Sequence, residues 1–305
     1  MRLLITGGSG FIGRNLVEGL RGSFDVVAPT RAELDLLDAE AVHAFLRSHV
    51  FDVVVYAATW DATRTSSKDR RLVLENNLRM FHNVARVPSA FGRLVHLGSG
   101  AEYGRERDLV QVTEAGFDEA VPGDHYGYAK YLLRKHCEAT PGFVNLSLFG
   151  VFGRYEDWRL RFLSNACCHA VLGLPIEVGR DALFDYIAVD DVVAAVAWCV
   201  ANETEQRSFN VCRGEAWSLV ELAGLVRTES GKDLPVVVRA PGRSNAYVGD
   251  PGAFVTASGW KAAALRDGIS TLYRWYDGHR DQIDRETLLG RAWATAGSKD
   301  AEREH

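Results

Sequence analysis

Two side chains able to exchange a proton, Tyr126 and Lys130, stand four residues apart in the segment DHYGYAK at residues 124–130. Residues four apart lie on one face of an α-helix. An ammonium group beside a phenol favours the phenolate and would bring its pKa from about 10 towards neutrality. Tyr126 is therefore predicted to exchange a proton with a carbonyl or hydroxyl oxygen. The same spacing also occurs in ordinary surface pairs of an aromatic ring and a cation, so it needs support from the rest of the chain.

A hydroxyl group follows an apolar strand pattern in residues 94–104 (LVHLGSGAEYG). A strand that ends in Gly-Ser-Gly places Ser99 at the carboxyl edge of a parallel sheet, where such sheets bind ligands. Ser99 is predicted to hydrogen-bond the same oxygen that Tyr126 protonates.

A glycine-rich segment, TGGSGFIG at residues 6–13, lies between the first predicted strand and the first predicted helix. Gly7 permits the tight turn, Gly10 lets a pyrophosphate approach the backbone, and Gly13 lets the helix pack closely on the strand. The N-terminus of the helix supplies unpaired N–H donors to the phosphates. Glycine spacing alone is weak evidence, but this position within βαβ units predicts dinucleotide binding rather than a plain glycine turn.

The residues after the second predicted strand, TRAELD at 30–35, bear on the choice of dinucleotide. An acidic side chain there accepts a hydrogen bond from the ribose 2′-hydroxyl of NAD, whereas a basic one meets the 2′-phosphate of NADP. Arg31 therefore favours NADP. The alternative is that Arg31 is a solvated surface residue and that Glu33 or Asp35 takes the role of the acid, which would favour NAD.

These residues require a parallel α/β sheet to bring them together. Buried strands are predicted at residues 3–6, 26–28, 53–58 and 94–97, alternating with helices near 10–20, 39–48 and 72–87. The alternation predicts a Rossmann-type doubly wound parallel sheet with a smaller, mostly helical C-terminal lobe. We expect a nucleotide-binding domain over 1–149 and about 184–212, a substrate lobe over 150–183 and about 213–290, and a flexible tail over 291–305.

The composition excludes several classes of function. The 305 residues carry 35 basic and 40 acidic side chains, a net charge of −5, which gives no general attraction to nucleic acid. The five cysteines show no metal-ligand spacing, so no metal site is predicted and free thiols in a reducing cytoplasm are expected. The N-terminus has no signal-peptide pattern, and the longest apolar run, residues 192–201, is too short to span a membrane.

Together these segments resemble the extended short-chain dehydrogenase/reductases, a family of sugar-nucleotide epimerases, dehydratases and reductases. The resemblance runs from Met1 to about Tyr276. Besides the motifs above it includes Asp35-Leu36, Tyr56-Ala57-Ala58, Asn77, IAVDDV at 187–192 and FNV at 209–211.

The resemblance implies roles for individual residues. Ser99, Tyr126 and Lys130 would be the catalytic trio, with Lys130 also holding the nicotinamide ribose. The implied cofactor contacts are Gly7, Gly10, Phe11, Ile12, Gly13, Arg31, Asp35, Leu36, Ala57, Ala58, Asn77, Tyr126 and Lys130. A homodimer is also implied, formed by the helices that follow Leu72 and Tyr126.

Within the family, residues 30–38 (TRAELDLLD) most resemble the NADP-dependent GDP-fucose synthases. Those enzymes carry a cysteine two residues after the catalytic serine for epimerisation, but here that position is Ala101, and their partner histidine has no evident counterpart in residues 153–169. Dehydratases of the family place an Asp-Glu pair where this chain has Gly100-Ala101. Reduction is therefore expected without that epimerisation or elimination.

The residues expected to contact the substrate depart further from the family's pattern. Gly150 stands where an asparagine is frequent, and Phe184 where an arginine often precedes the Asp-Tyr/Phe-Ile run. Ala101 and Gly150 remain candidate substrate contacts, and Arg180, Arg239 and Arg243 are candidates for gripping a diphosphate, unless they are ordinary surface arginines. Trp158, Arg159 and Arg161 suit base stacking, but aromatic residues at helical spacing are more often core.

The sequence thus predicts NADPH-dependent reduction of the 4-keto group of a nucleotide-linked 4-keto-6-deoxy sugar. The nucleotide, the sugar and the product stereochemistry are left open. One alternative is a nucleotide-sugar 4-epimerase with tightly held NAD. A second is a non-catalytic NADP-sensing protein on the same fold.

Overall fold

The computed structural model describes residues 1–61, 63 and 65–290, and the prediction of a flexible tail over 291–305 lies outside these residues. The strands are, in chain order, β1 (Arg2–Thr6), β2 (Asp25–Val27), β3 (Phe51–Tyr56), β4 (Phe91–Leu97), β5 (Leu109–Val112), β6 (Phe143–Leu148), β7 (Gly150–Phe152), β8 (Ile176–Asp181), β9 (Leu183–Phe184), β10 (Tyr186–Ala188), β11 (Ser208–Val211), β12 (Trp217–Ser218), β13 (Val236–Arg243) and β14 (Tyr247–Gly249).

The α-helices are α1 (Phe11–Leu20), α2 (Ala39–Ser48), α3 (Val73–Ala85), α4 (His125–Ala139), α5 (Phe162–Val171), α6 (Val189–Ala201), α7 (Leu219–Ser230), α8 (Gly252–Ser258), α9 (Leu265–Gly278) and α10 (Arg285–Gly290). Short 3₁₀ turns occur at Arg70–Leu72, Pro88–Ala90, Gly100–Tyr103, Glu114–Gly116 and Arg280–Gln282.

Six strands form a parallel sheet in the order β11-β6-β4-β3-β1-β2. The short β-branched runs fit central strands because side chains on both faces are buried. In β1, Leu4 belongs to one apolar core while its neighbours Leu3 and Ile5 belong to the other. The predicted parallel α/β fold is confirmed, and the strand and helix ends differ from the predicted ones by one to a few residues.

Helices cover both faces of this sheet. Helices α1 and α6 pack against each other on one face, and their side chains Leu16, Val192 and Val196 share a core with the sheet. On the other face α2, α3 and α4 contribute, for example, Phe81 and Leu133. This wrapping leaves the carboxyl ends of the strands open at one edge.

The remaining elements form a second region with a core of its own. Helices α5 and α7 pack on the pair β8-β13, and α9 packs on α5 and α7. A four-stranded sheet has the order β12-β9-β14-β5. Helix α6 and strand β11 come after α5 and β8 of this second region in the chain. They nevertheless belong to the core and the sheet of the first region. The exact domain limits given above remain a prediction.

Two further expectations concern cysteines and membranes. All five cysteines are buried and free, as predicted. Among the described residues no helix has the length and apolar character needed to cross a bilayer.

Candidate active site

A cleft of about 1700 Å³ runs along the carboxyl edge of the main sheet. Its floor is formed by the ends of β1, β3, β4 and β6, and its other wall by residues 180–186 and 243–247 of the second region. Pockets for one small ligand usually measure about 300–1,000 Å³. The cleft therefore has room for a dinucleotide and a second ligand.

The glycine loop fits a pyrophosphate at one end of this cleft. Gly7 has φ +71° and lies so close to the next strand that a Cβ atom would be 2.8 Å from the Ala58 Cα. A Cβ on Gly13 would overlap the carbonyl oxygen of Gly7. Helix α1 begins after Gly10 with no side-chain cap, so the N–H groups of its first turn are open to a ligand.

The neighbouring cofactor candidates also line the cleft. Phe11 and Ile12 lie beside the loop, Leu36 and Ala57 lie further along, and Ala58 donates its N–H to Thr6 Oγ1 at 3.2 Å. The structure thus brings together the contiguous part of the predicted cofactor set.

Arg31 lies at the far end of the cleft, in contact with groups that sequence reasoning missed. Its guanidinium pairs with Asp35 at 3.3 Å and lies 5.3 Å from the centre of the Trp60 ring. Lys68 Nζ lies 4.9 Å from the same ring. Trp60 Nε1 is buried without a hydrogen-bond partner. This end of the cleft therefore brings together an aromatic face, an unpaired buried N–H donor and two cations.

Asn77 differs from the other predicted cofactor residues in its position and bonding. Its amide oxygen accepts from Trp60 N at 2.8 Å and from Thr59 Oγ1 at 3.1 Å, and its amide nitrogen donates to the carbonyls of Trp60 and Val73. All its hydrogen-bonding groups are thereby used within the protein. Asn77 is outside the residues that line the cleft, so it fixes the loop that carries Trp60 rather than facing a cofactor.

Ser99, Tyr126 and Lys130 meet in the middle of the cleft. Ser99 caps the 3₁₀ turn after β4 and accepts from Ala101 N at 3.2 Å. Asp124 caps α4 and places Tyr126 and Lys130 on the helix face that looks into the cleft. A Cβ on Gly127 would lie 2.8 Å from the Ala101 carbonyl oxygen, so only glycine lets α4 approach the turn that carries Ser99 this closely.

The electrostatics of the trio differ from the sequence expectation. Burial raises the pKa of Tyr126, and a hydrogen bond with Ser99 only partly opposes this. Lys130 Nζ lies 6.0 Å from the ring centre of Tyr126 and donates instead to the Leu97 carbonyl oxygen at 2.6 Å. Burial lowers the pKa of Lys130 to about 8. The Lys130 ammonium is thus bonded to the strand rather than to the Tyr126 hydroxyl, and the lowering of the Tyr126 pKa by Lys130 stays a prediction.

The predicted substrate residues divide into two groups. Ala101, Gly150, Arg180 and Arg243 line the cleft, and Arg243 also pairs with Asp181 at 3.3 Å. Arg239 lies outside the cleft lining and pairs with Glu177 on the neighbouring strand, so its prediction as a substrate contact is not supported by its position.

Gly150 has a packing reason to be glycine. A Cβ there would lie 2.6 Å from the Asp185 carbonyl oxygen and against the Tyr186 ring. Strand β7 pairs with β10 at this point. An asparagine side chain cannot be accommodated in this arrangement, so a contact from residue 150 can come only from its backbone.

Three further polar residues line the cleft and were missed. Arg105 pairs with Asp124 at 3.1 Å, and Tyr247 OH lies 3.5 Å from Ser99 Oγ. Glu156 is buried, and burial raises its pKa to about 8. They come from a loop, strand β14 and the segment before α5. Nothing in their local sequence marks them, although EYGRER at 102–107 follows the Ser99 motif directly.

No metal site is evident in the described ranges, since no three His, Cys, Asp or Glu side chains come together there.

Comparisons with known proteins agree with this geometry. A family model described as the NAD dependent epimerase/dehydratase family matches residues 3–212. The chain is 28% identical to a GDP-L-fucose synthase from Azorhizobium caulinodans, over 90% of this chain and 96% of that protein. Two solved structures share the fold. A UDP-glucose 4-epimerase with UDP-glucose from Thermotoga maritima has a TM-score of 0.80 at 19% identity, covering 92% of this chain and 99% of the other. A GDP-mannoheptose C4 reductase from Campylobacter jejuni with NADP bound has a TM-score of 0.77 at 24% identity, covering 90% and 98%.

Proposed function

Because this chain belongs to the NAD-dependent epimerase/dehydratase family, we propose that it uses NADPH to reduce the 4-keto group of a nucleotide-linked 4-keto-6-deoxy sugar. The coarser statement, that it is an NAD(P)-dependent enzyme of the extended short-chain dehydrogenase/reductase type, follows from the family match. The sugar nucleotide, the 4-keto group and the preference for NADPH are the proposal.

The observation that supports proton transfer to a carbonyl oxygen is the meeting of Ser99, Tyr126 and Lys130 in the middle of the cleft. Tyr126 would donate its phenol proton to the oxygen on which negative charge develops during reduction. Ser99 is placed to hydrogen-bond the carbonyl oxygen. When bound, NADPH supplies the hydride.

The preference for NADPH is supported by charge at the adenosine end. Arg31 and Lys68 flank the Trp60 ring, and the lowering of the pKa of Lys68 by burial and by Arg31 indicates that both cations act on one site. A dianionic 2′-phosphate would relieve this repulsion. The residues that would hold the rest of the cofactor are the loop from Gly7 to Gly13, the backbone near Ala58, and Lys130 for the nicotinamide ribose.

Substrate binding at the other end would use Arg180, Arg243 and the missed Arg105. Arginine suits a diphosphate because its planar fork donates two hydrogen bonds in parallel. Ala101 offers no acid or base at the position next to the trio, so the chemistry proposed is reduction alone.

The test is a screen of NADPH oxidation against GDP-, dTDP-, UDP- and CDP-linked 4-keto-6-deoxy sugars. We expect turnover with one of these substrates. The GDP-linked sugar is expected to react fastest, because two of the similar proteins are named for GDP-linked sugars. NADPH binding without turnover on any of the four would contradict the proposal and favour a cofactor-sensing protein.

A nucleotide-sugar 4-epimerase is the second candidate, favoured by the close fit to the fold of a UDP-glucose 4-epimerase. Such an enzyme holds NAD tightly and works without added reductant. Purified protein that carries non-exchanging NAD and interconverts a sugar nucleotide without NADPH would favour it over the reductase.

We also propose a homodimer formed by α3 and α4. Leu74 and Leu78 on α3, and Tyr128 and Leu132 on α4, are spaced four apart and only partly buried in the single chain. Each pair therefore forms a short apolar stripe. Light scattering of the full chain should give a dimer, and the double variant L78E/L132E should give a monomer; a wild-type monomer contradicts the proposal.

A further inference from the structure

A network of buried polar side chains lies directly behind Lys130. His96 Nε2 is 3.5 Å from Lys130 Nζ, and His96 Nδ1 is 2.7 Å from Asn145 Oδ1. Asn145 Nδ2 in turn lies 3.1 Å from Glu102 Oε1. His96, Glu102 and Asn145 are completely buried, and Lys130 is 4% exposed. Three separate parts of the chain thus supply polar groups to one lysine through a dry interior.

Glu102 acts as a hydrogen-bond acceptor for the groups around it. It accepts from Arg134 Nη1 at 3.2 Å, from Ser147 Oγ, from Ser99 N at 3.4 Å and from Asn145. Burial raises the pKa of Glu102, but the Arg134 guanidinium and the bonds from Ser147 and Ser99 oppose this and favour the carboxylate. Arg134 is itself buried and bonds Glu138 at 2.7 Å, which links the pair to the helix surface.

The direction of each hydrogen bond then follows from the carboxylate. Because Glu102 accepts, the Asn145 nitrogen faces it and the Asn145 oxygen faces His96. His96 Nδ1 must therefore carry the ring proton. In neutral histidine this leaves Nε2 as an acceptor, and that lone pair points at the Lys130 ammonium. Burial and Lys130 both lower the pKa of His96, which keeps the ring neutral.

The backbone leaves room for this network at one position. A Cβ on Gly98 would lie 2.5 Å from Asn145 Oδ1 and 2.9 Å from Glu102 Oε2. Glycine before Ser99 is therefore needed by the polar groups behind the cleft.

We propose that His96 is a positioning residue, which accepts a hydrogen bond from the Lys130 ammonium through Nε2, and that Glu102 dictates this role through Asn145. The bond holds the ammonium at the end of β4, between His96 and the Leu97 carbonyl. The catalytic consequence rests on the proposed function, whereas the bonding pattern itself does not.

Other titratable groups near Lys130 bear on its charge. Tyr126 and Cys137 lie on the same helix, Glu102 lies on the 3₁₀ turn, and Tyr56 of β3 faces the His96 ring, 5.9 Å away between ring centres. Of these, Glu102 is the only carboxylate, and it raises the pKa of Lys130 against the effect of burial.

The first experiment reads the histidine directly and needs no substrate. In the full-length protein labelled with ¹⁵N-histidine, the His96 ring, identified by its loss in H96Q, should be neutral with the proton on Nδ1. It should remain so as the pH is lowered to about 5. K130M should shift the Nε2 resonance and leave the tautomer unchanged. A proton on Nε2, or an Nε2 signal unmoved in K130M, overturns the proposal even if the reductase activity is real.

The second experiment tests the consequence for turnover with the sugar nucleotide that reacts fastest in the screen above. H96L removes the acceptor and should lower kcat about tenfold, whereas H96Q can offer an amide oxygen and should retain most of the activity. H136Q changes a half-buried histidine of helix α4, the helix that carries Lys130; it is the matched control and should be unchanged. E102Q should move the alkaline limb of the pH profile to lower pH because Lys130 loses its nearest anion. Equal loss in H96L and H96Q with an unmoved pH limb contradicts the proposal.

Discussion

The two ends of the cleft are built by different means. The pyrophosphate end is made of backbone from eight consecutive residues, 6–13, in which what matters is the absence of Cβ atoms. The reaction end is made of side chains from distant parts of the chain, since Ser99 and Tyr247 stand 148 residues apart and their oxygens are 3.5 Å apart. Adding an atom should therefore damage the first end, and removing one should damage the second.

The sharpest test of the side-chain end is Tyr126→Phe. Loss of the proton donor should lower kcat by about 100-fold or more, because general acid catalysis contributes about 10²–10⁴-fold, while NADPH still binds. Steady-state NADPH oxidation and a fluorescence titration measure the two effects. Tyr128→Phe, two residues further along the same helix and outside the cleft lining, is the matched control. Full activity in the Tyr126 variant would remove this residue from the mechanism.

The backbone end is tested by adding a single methyl group. Gly13→Ala places a Cβ onto the Gly7 carbonyl oxygen, and the overpacking should cost about 1–3 kcal/mol, seen as an NADPH affinity reduced by at least about tenfold or as a lower Tm. Gly22→Ala is the control, since its Cβ would meet nothing within 4 Å. Equal behaviour of the two variants would mean that the loop tolerates side chains and that the contrast between the ends is false.

The pH dependence of the reaction end follows from Lys130. Burial lowers its pKa from 10.5 to about 8, so the ammonium is present below about pH 8 and lost above it. The kcat should then fall by up to about tenfold per pH unit above 8. The free energy of unfolding should instead rise with pH between about 8 and 10.5, because in that range Lys130 is protonated in the unfolded chain but not in the folded one. A pH–rate profile and thermal melts check both signs, and a flat profile up to about pH 10 contradicts this role of Lys130.

The far end of the cleft, where Arg31 and Lys68 lie against the Trp60 ring, is the proposed site of the adenosine 2′-phosphate. Arg31→Ala and Lys68→Ala should each weaken NADPH binding about tenfold, as loss of a charged hydrogen bond costs about 1.5–3 kcal/mol, and should leave NADH binding nearly unchanged. Arg71→Ala is the control, because that side chain is 87% exposed and pairs with Asp69. Equal weakening of NADPH and NADH binding would show that neither cation recognises the 2′-phosphate.

The smallest expected effect separates two arginines of the same strand. Arg243 lines the cleft and Arg239 does not. Arg243→Ala should raise the KM for the sugar nucleotide by about threefold to tenfold with kcat unchanged, and Arg239→Ala should change neither. A larger rise in KM for the Arg239 variant would reverse the assignment of the substrate end.

Much of the fold and part of the site could be predicted from sequence, because the contacts that fix them are made between residues close together in the chain. The glycine loop, strand β1 and helix α1 are contiguous, and their glycine positions are set by contacts within that unit and with the adjoining strand. Helix α4 was predictable because Asp124 caps it and the spacing of Tyr126 and Lys130 fixes their common face. Hydrophobic periodicity is likewise a property of neighbouring residues.

Other features could not be predicted because they depend on partners far away in the chain. The motif containing Asn77 looked like a cofactor contact, yet its amide is used up by the backbone around Trp60. Arg239 and Arg243 could not be distinguished in the sequence. Only the pairing of β13 with β8 shows that Arg239 contacts Glu177 and lies outside the cleft lining.

By itself the sequence determined the parallel α/β sheet, the glycine loop at its edge and the helix that carries Tyr126 and Lys130, because each depends on residues close together in the chain. The tertiary structure alone decided the bonding of Lys130 to the Leu97 carbonyl, the place of Tyr247 beside Ser99, and the burial of Glu102 and His96 behind Lys130. Burial and long-range hydrogen bonds decide charge and direction, and both depend on which distant segments the fold brings into contact.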